Sequence, residues 1–327
     1  MSFRLDAQQL PALQAWLEHR SLLLPGETVL AAAKPGEGNM NYTLRLHTNC
    51  RTLIIKQARP YVEKYPSIPA PQARALVEGQ FYRMIQSDAE LRAFTPAVLH
   101  ADPEDYMLLL EDLGEGSDFT PIYQPGASLE AAELTDLLRF LSALHRLRPE
   151  AKLENRAMRE LNAEHIFRYP FMEENGFSLD QVTPGLQAAA MEYKTDARLK
   201  AAVQDLSAVY LGDGPCLLHG DYYPGSWLRT ASGVKVIDPE FGFTGPAEFD
   251  VAVMMAHMRM AAQPPEVLDR IRNTYQAPAG FSWRLARQLS GVEVMRRIIG
   301  LAQLPLSLDL QAKQDLLREA YTLILEE

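Results

Sequence analysis

Residues 217–250, LLHGDYYPGSWLRTASGVKVIDPEFGFTGPAEFD, constrain this chain more than any other stretch. Cys216, Leu217 and Leu218 form a short apolar run that breaks into His219-Gly220-Asp221. Beyond a polar turn at Ala231-Ser232-Gly233, residues 234–237 form a second apolar, β-branched run that ends in Asp238-Pro239-Glu240. Short buried strands bounded by turn residues read this way, and rigid strand ends are where loops carry reactive groups. Asp221 and Asp238 lie 17 residues apart, a separation that a hairpin-like return closes. An isolated Asp at a strand end is ordinarily a turn former or a helix cap. Two acidic clusters in succession, each behind an apolar run, point instead to phosphoryl transfer. One carboxylate would orient a hydroxyl nucleophile, while Asp238 and Glu240, on one side of a strand end, would ligate Mg²⁺.

A chain of 327 residues, 47% hydrophobic and 23% charged, has the composition of a globular protein with one two-lobed unit or two domains. Its net charge of −10 excludes nucleic acid or an anionic membrane surface as the main partner. A nucleotide is not excluded, because a local Lys, Mg²⁺ and backbone amides can hold one. Cys50 and Cys216, the only cysteines, both stand beside strand-like segments and read as buried thiols in a reducing compartment. The opening MSFRLDAQQLPALQAWLEHR is too polar for a signal peptide, and no stretch approaches 18 apolar residues, so no membrane partner and a cytoplasmic location are expected.

Leu10, Leu13, Trp16 and Leu17 recur at helical spacing, predicting a helix over 6–20. Strand-like runs follow at 28–33, 40–47 and 52–57. Between the first two lies Lys34-Pro35-Gly36-Glu37-Gly38-Asn39-Met40-Asn41, which reads equally as a plain hairpin or as a turn that lets the backbone approach phosphates. The third run carries Lys56, placed to grip nucleotide phosphates. A proline-punctuated connector, 60–71, leads into a helical stripe over 72–85 that holds Glu78, the candidate partner of Lys56. Runs at 96–100 and 106–110 complete a sheet of about five strands. From about residue 128 the period becomes 3.6, and the rest of the chain reads as helices apart from the acidic stretch. His145 reads as a packed core histidine. Phe167, Tyr169, Phe171 and Phe177 read as core or as pocket lining. Arg296 and Arg297 read either as a solvated helix face or as a pair turned toward a phosphate ester.

HGDxxxG followed by an Asp-x-Glu strand end resembles the aminoglycoside phosphotransferase and choline kinase group, small-molecule relatives of the protein kinases. DPEFGFTGPAEFD, IIKQARPYVEKYP, HGDYYPGS and EVMRRIIGLAQ resemble the methylthioribose kinase branch in particular. The resemblance implies an α+β, two-lobed protein-kinase-like fold. An N-terminal antiparallel sheet lobe with helices over 1–112 would bind nucleotide, and a larger, mainly helical lobe over 113–327 would hold the catalytic and acceptor groups. It implies Asp221 as catalytic base, Asp238 and Glu240 with Ser226 as Mg²⁺ ligands, and Lys56 on the ATP phosphates, braced by Glu78. Gly36, Gly38 and Asn39 would cradle phosphate, and main-chain groups at Glu111 and Leu113 would hold adenine. Arg296 and Arg297 would stand on the side of a small hydroxyl acceptor, and Asp250 would brace the catalytic loop. Methylthioribose leads as acceptor, with an aminoglycoside, homoserine, choline or another sugar as alternatives, and a nucleotide-binding module without catalysis as the rival class. Two features depart from the branch: a tryptophan expected after the Lys strand is missing, with Tyr65-Pro66-Ser67-Ile68-Pro69 in its place, and Tyr222-Tyr223-Pro224 replaces a more usual Leu-His-Thr. The sequence is compatible with a homodimer and carries no signal for one.

Overall fold

A computed structural model of the chain describes residues 3–36, 38 and 40–326. The chain divides into two compact units, residues 1–117 with 230–241, and residues 118–229 with 242–327.

In the first unit α1 (Leu10–His19) precedes β1 (Val29–Ala33), β2 (Tyr42–Thr48) and β3 (Thr52–Gln57). The connector that follows is more ordered than its prolines suggest. It folds into an antiparallel pair, β4 (Tyr61–Val62) and β5 (Tyr65–Pro69). Prolines are tolerated there because both members of a two-stranded ribbon are edge strands. Next come α2 (Arg74–Ile85), α3 (Ala89–Phe94), β6 (Val98–Asp102) and β7 (Met107–Glu111). Helix α3 is too short to show a period in the sequence, and Asp88 caps it by accepting from the Glu90 and Leu91 N–H groups.

The main sheet has the order β1-β2-β3-β7-β6, antiparallel throughout. Leu53 and Ile55 of β3 pack with Leu13, Trp16 and Leu17 of α1. Lys56, one residue out of phase, therefore points to the opposite face. Strand β7 is buried from Met107 to Leu110, which is why it reads as an unbroken apolar run rather than an alternating one. Helix α2 lies close against it: a Cβ on Gly79 would stand 2.9 Å from the Leu108 side chain. Cys50, expected to be buried, is exposed at the β2–β3 turn, whereas Cys216 is buried.

The second unit is mainly helical: α4 (Ala131–Arg146), α5 (Arg156–Ala163), α6 (Leu186–Thr195), α7 (Ala197–Leu211), α8 (Glu248–Met260), α9 (Pro265–Thr274), α10 (Trp283–Ile299) and α11 (Leu310–Leu325). A two-stranded antiparallel ladder joins Cys216–Leu218 to Phe243–Gly245. Helix α8 is buried on nearly every side, as is α10 from Ser290 to Ile299. Helices apolar all round belong to an interior, so any charge on this part of α10 must find a buried partner. Glycine permits that central position: a Cβ on Gly291 would meet the Ala320 carbonyl of α11 at 2.7 Å. Phe167 and Phe171, left open between core and pocket, do both: they join this core and also line a pocket with Glu160, Glu164 and Lys200. Among the described residues no helix is long and apolar enough to cross a membrane.

Candidate active site

In the first unit, the out-of-phase position of Lys56 brings its ammonium to α2, where Nζ donates to Glu78 Oε1 at 2.7 Å and also to Asp238 Oδ1. Burial opposes the charge on Lys56, but Asp238 and Glu78 more than restore it, and its pKa stands above the ordinary lysine value. Glu78 is fully buried, and burial pushes its carboxyl up to about 7, with Lys56 opposing and Asp238 adding to the rise. Asp238 is 42% exposed at its side chain. The sequence suggests a strand ending in an extended Asp-x-Glu; instead the strand stops at Val236, and Pro239–Phe241 form one 3-10 turn. Asp238 enters that turn with φ +63, a left-handed backbone that Asp tolerates better than most residues. Its N–H donates to the Tyr82 hydroxyl at 3.2 Å, which anchors the turn to α2.

Glu240 is buried in the same turn and accepts from Asn41 Nδ2 at 2.8 Å. Burial pushes its carboxyl up to about 8, with Arg74 opposing and Glu78 and Asp238 adding to the rise. Arg74 Nε stands 3.6 Å from Glu240 Oε2. Three carboxylates (Glu78, Asp238, Glu240) thus share two cations (Lys56, Arg74). Gly38 N–H donates to the Gly36 carbonyl at 3.1 Å, and a Cβ on Gly38 would lie 3.3 Å from the Asn41 carbonyl. Neither glycine has a positive φ, and a Cβ on Gly36 would meet nothing within 4 Å. Asn39 lies outside the described residues. Glu111 ends β7 with its N–H on the Ala97 carbonyl at 2.9 Å, and its carboxylate accepts from the Ala97 N–H at 3.1 Å. Next to it and before Leu113, the Asp112 side chain is held by Arg45 at 2.8 Å.

In the second unit, the loop after Cys216–Leu218 is shaped from beneath by Asp250 at the start of α8. The fully buried Asp250 carboxylate accepts the His219 N–H at 2.7 Å and the Gly220 N–H at 2.9 Å. His145 is likewise fully buried, between Tyr275 (2.7 Å) and Asp250 (3.3 Å). Gly220 takes φ +82, and the chain turns so that the Asp221 side chain remains 18% exposed. The Ser226 hydroxyl donates to the Asp221 carbonyl at 2.9 Å, which closes the loop, and a hydroxyl that donates still keeps acceptor lone pairs.

Arg297 Nη2 reaches Asp221 Oδ1 at 3.3 Å, with Arg296 Nη1 at 3.9 Å from the same oxygen. Both arginines are buried rather than solvated, because α10 is central. Glu293, one turn earlier, supplies the partner: its carboxylate accepts from Arg297 Nε at 2.6 Å and Arg296 Nη1 at 3.1 Å. Burial would raise the Glu293 carboxyl, but Arg296 and Arg297 outweigh it and hold it well below the usual carboxylate range. Behind it His257 bridges Glu293 (3.2 Å) and the Tyr123 hydroxyl, and burial pulls its imidazole down to about 4. Arg297 also lies 5.0 Å over the Tyr223 ring. Asn41, Arg74, Tyr82, His257 and Glu293 escape sequence reasoning. Only Glu293 carries a local signal, standing three and four residues before the arginine pair on one helix face.

An antiparallel sheet unit with a buried Lys–Glu pair, and a helical unit presenting an Asp loop beside arginines, define a protein-kinase-like phosphotransferase fold. The chain belongs to the phosphotransferase enzyme family, whose model matches residues 32–289. It is an ATP-dependent kinase acting on a hydroxyl group of a small molecule. It is 30% identical to the methylthioribose kinase of Exiguobacterium sibiricum over 316 residues, covering 89% of this chain and 78% of that protein. Its fold is similar to that of the choline kinase LicA from Streptococcus pneumoniae, at TM-score 0.54 and 12% identity over 96% of this chain and 98% of that one. Similar too is spectinomycin phosphotransferase APH(9)-Ia, solved with ADP and spectinomycin, at TM-score 0.53 and 12% identity over 99% of both chains.

Proposed function

We propose that the acceptor is a methylthioribose-like sugar, with Asp221 as the group that orients and deprotonates its hydroxyl. The observation that carries this reading is the arginine pair: Arg296 and Arg297, both buried, stand 3.9 and 3.3 Å from the Asp221 carboxylate. Two guanidinium groups beside the base suit a neutral sugar whose product is a phosphate ester, since arginine matches phosphate geometry. With Asp221 and Glu293 already matched by the two arginines, the set has no surplus carboxylate to attract an acceptor that arrives as a cation, which argues against choline or an aminoglycoside. The named relative of similar sequence favours the same substrate.

On the nucleotide side, Lys56 grips the ATP phosphates and Glu78 holds the ammonium in place. Gly36 and Gly38 admit the phosphates close to the backbone, and Asn39, next in sequence, is assigned the same role. Main-chain groups at Glu111 and Leu113 receive adenine. Asp238 and Glu240, both in the first unit, would hold Mg²⁺. The donor set fits: all are hard oxygen ligands, and the surrounding group has one carboxylate more than it has cations. Among the described residues no cluster of three or more His, Cys, Asp or Glu forms a ready-made metal cage. Mg²⁺ takes one or two carboxylates and fills its shell with phosphate and water. Bound there, Mg²⁺ would neutralise charge on the phosphates.

The reading is tested by ADP release from Mg·ATP with methylthioribose, ribose, homoserine, choline and kanamycin as acceptors. Selective turnover of methylthioribose is expected. Preferential use of choline or kanamycin would overturn it.

A further inference from the structure

We propose that Arg74 is a positioning residue that ties the glycine-rich turn to Glu240, so that the phosphate-cradling turn and the acidic turn are held as one body. Arg74 is fully buried at the start of α2. A guanidinium has five N–H donors in a fixed fork, and here each one has an acceptor. Nη1 donates to the Arg59 carbonyl at 2.9 Å and the Pro71 carbonyl at 2.8 Å. Nη2 donates to the Met40 carbonyl at 2.8 Å and the Tyr61 carbonyl at 3.2 Å. Nε donates to Asn41 Oδ1 at 2.8 Å.

These acceptors come from two separate segments: the end of the glycine-rich turn, and the connector that follows the Lys56 strand. A third segment is reached both directly, with Arg74 Nε 3.6 Å from Glu240 Oε2, and by relay. Asn41 accepts from Arg74 through its oxygen and donates from its nitrogen to Glu240 Oε2 at 2.8 Å. The charge on Arg74 and the hydrogen bonds on Asn41 together fix which way that amide faces and where the Glu240 carboxylate points. An arginine needed only for packing would be served by carbonyls alone; this one spends its Nε on a side chain that hands the contact to Glu240. Lysine cannot replace it, having three donors on a point charge in place of a planar fork.

The consequence is a coupling. Phosphates entering the turn and a cation bound at Glu240 each stabilise the arrangement that favours the other, so ATP and Mg²⁺ should strengthen each other's binding through Arg74 and Asn41. This inference rests on the assignment of Glu240 as a metal ligand. The experiment is calorimetric titration of the full chain with ATP, with and without Mg²⁺, for the wild type, Glu240→Gln, Arg74→Lys and Asn41→Ala. Glu240→Gln is expected to lose the Mg²⁺ enhancement of ATP affinity. Arg74→Lys and Asn41→Ala are expected to reduce that enhancement about tenfold, the size of one charge-assisted hydrogen bond, beyond any loss of Mg²⁺-free ATP affinity. If Glu240→Gln keeps the enhancement, the metal assignment fails and the inference with it. If Glu240→Gln loses it while folded Arg74→Lys and Asn41→Ala keep it, the coupling alone is overturned. Equal loss of ATP affinity with and without Mg²⁺ in both variants would show a purely structural role and also overturn it. Where Arg74→Lys fails to fold, Arg74→Gln with Asn41→Ala decides the question: an enhancement kept by both would overturn the coupling.

Discussion

The two units hold their acidic groups in opposite ways. In the first, Glu78, Asp238 and Glu240 share Lys56 and Arg74, and burial with mutual repulsion lifts Glu78 to about 7 and Glu240 to about 8. In the second, Asp221 and Glu293 are matched by Arg296 and Arg297, and Glu293 is driven well below its usual range despite burial as deep. Glu78, Glu240 and Glu293 are all buried; the count of cations beside them decides which way each of these three moves. An acid-rich set suits a site that takes up a divalent cation with phosphates. A balanced set with surplus guanidinium donors suits a site that receives a neutral hydroxyl and releases a phosphate ester.

Removing a cation from the acid-rich set should do the most damage. Lys56→Met is expected to lower kcat/KM for ATP about 10³-fold, the upper range for losing one preorganised donor to charged oxygens. The acceptor KM should stay unchanged in steady-state kinetics; a matching rise would break the division between the units. Next come paired deletions of acid. Glu293→Gln leaves two buried arginines short of a partner and should cost about 3 kcal/mol in urea unfolding. Glu78→Gln removes one acid from a set already in excess and should cost about 1 kcal/mol or less. Equal costs would show that charge balance is not what separates the two sets.

The third prediction concerns pH. His257 has its pKa lowered from 6.5 to about 4, first by burial and further by the Arg297 charge, with Glu293 opposing. The unfolded chain takes up this proton near its ordinary value and the folded chain resists it. The stabilising contribution is therefore complete above pH 6.5 and is lost as pH falls through 4, amounting to about 3 kcal/mol over that window. His257→Gln should flatten that part of the stability–pH curve; a slope equal to the wild type's would contradict the assignment. A modest effect is expected for Arg297→Lys, where a point charge replaces a fork: acceptor KM up about tenfold, with ATP affinity within about twofold.

Much of this was legible in the sequence because it is local. Two apolar runs breaking into HGD and DPE marked the loop and the turn, and a strand followed by a helical stripe placed Lys56 opposite Glu78. A sheet of about five strands followed from runs of the right length, and its antiparallel order from the family resemblance. What stayed hidden depends on contacts far apart along the chain. Arg74 looks like any arginine at a helix start, and nothing nearby says that carbonyls from 40 to 71 will surround it. His257 meets Tyr123 and Glu293 across 134 and 36 residues. The burial of Arg296 and Arg297 follows from the central place of α10, which only the packed unit reveals. The turn at Asp238 escaped because an Asp-Pro pair behind a β-branched run reads as a strand end as readily as a left-handed turn.

The division of labour between the units is tested most directly by Asp221→Asn, with Mg·ATP binding measured by calorimetry and transfer to methylthioribose measured by ADP release. The account predicts Mg·ATP affinity within about twofold of wild type and transfer reduced about 10³-fold or more, in the range for loss of a positioned general base. Transfer at the wild-type rate, or ATP affinity falling in step with turnover, would contradict it.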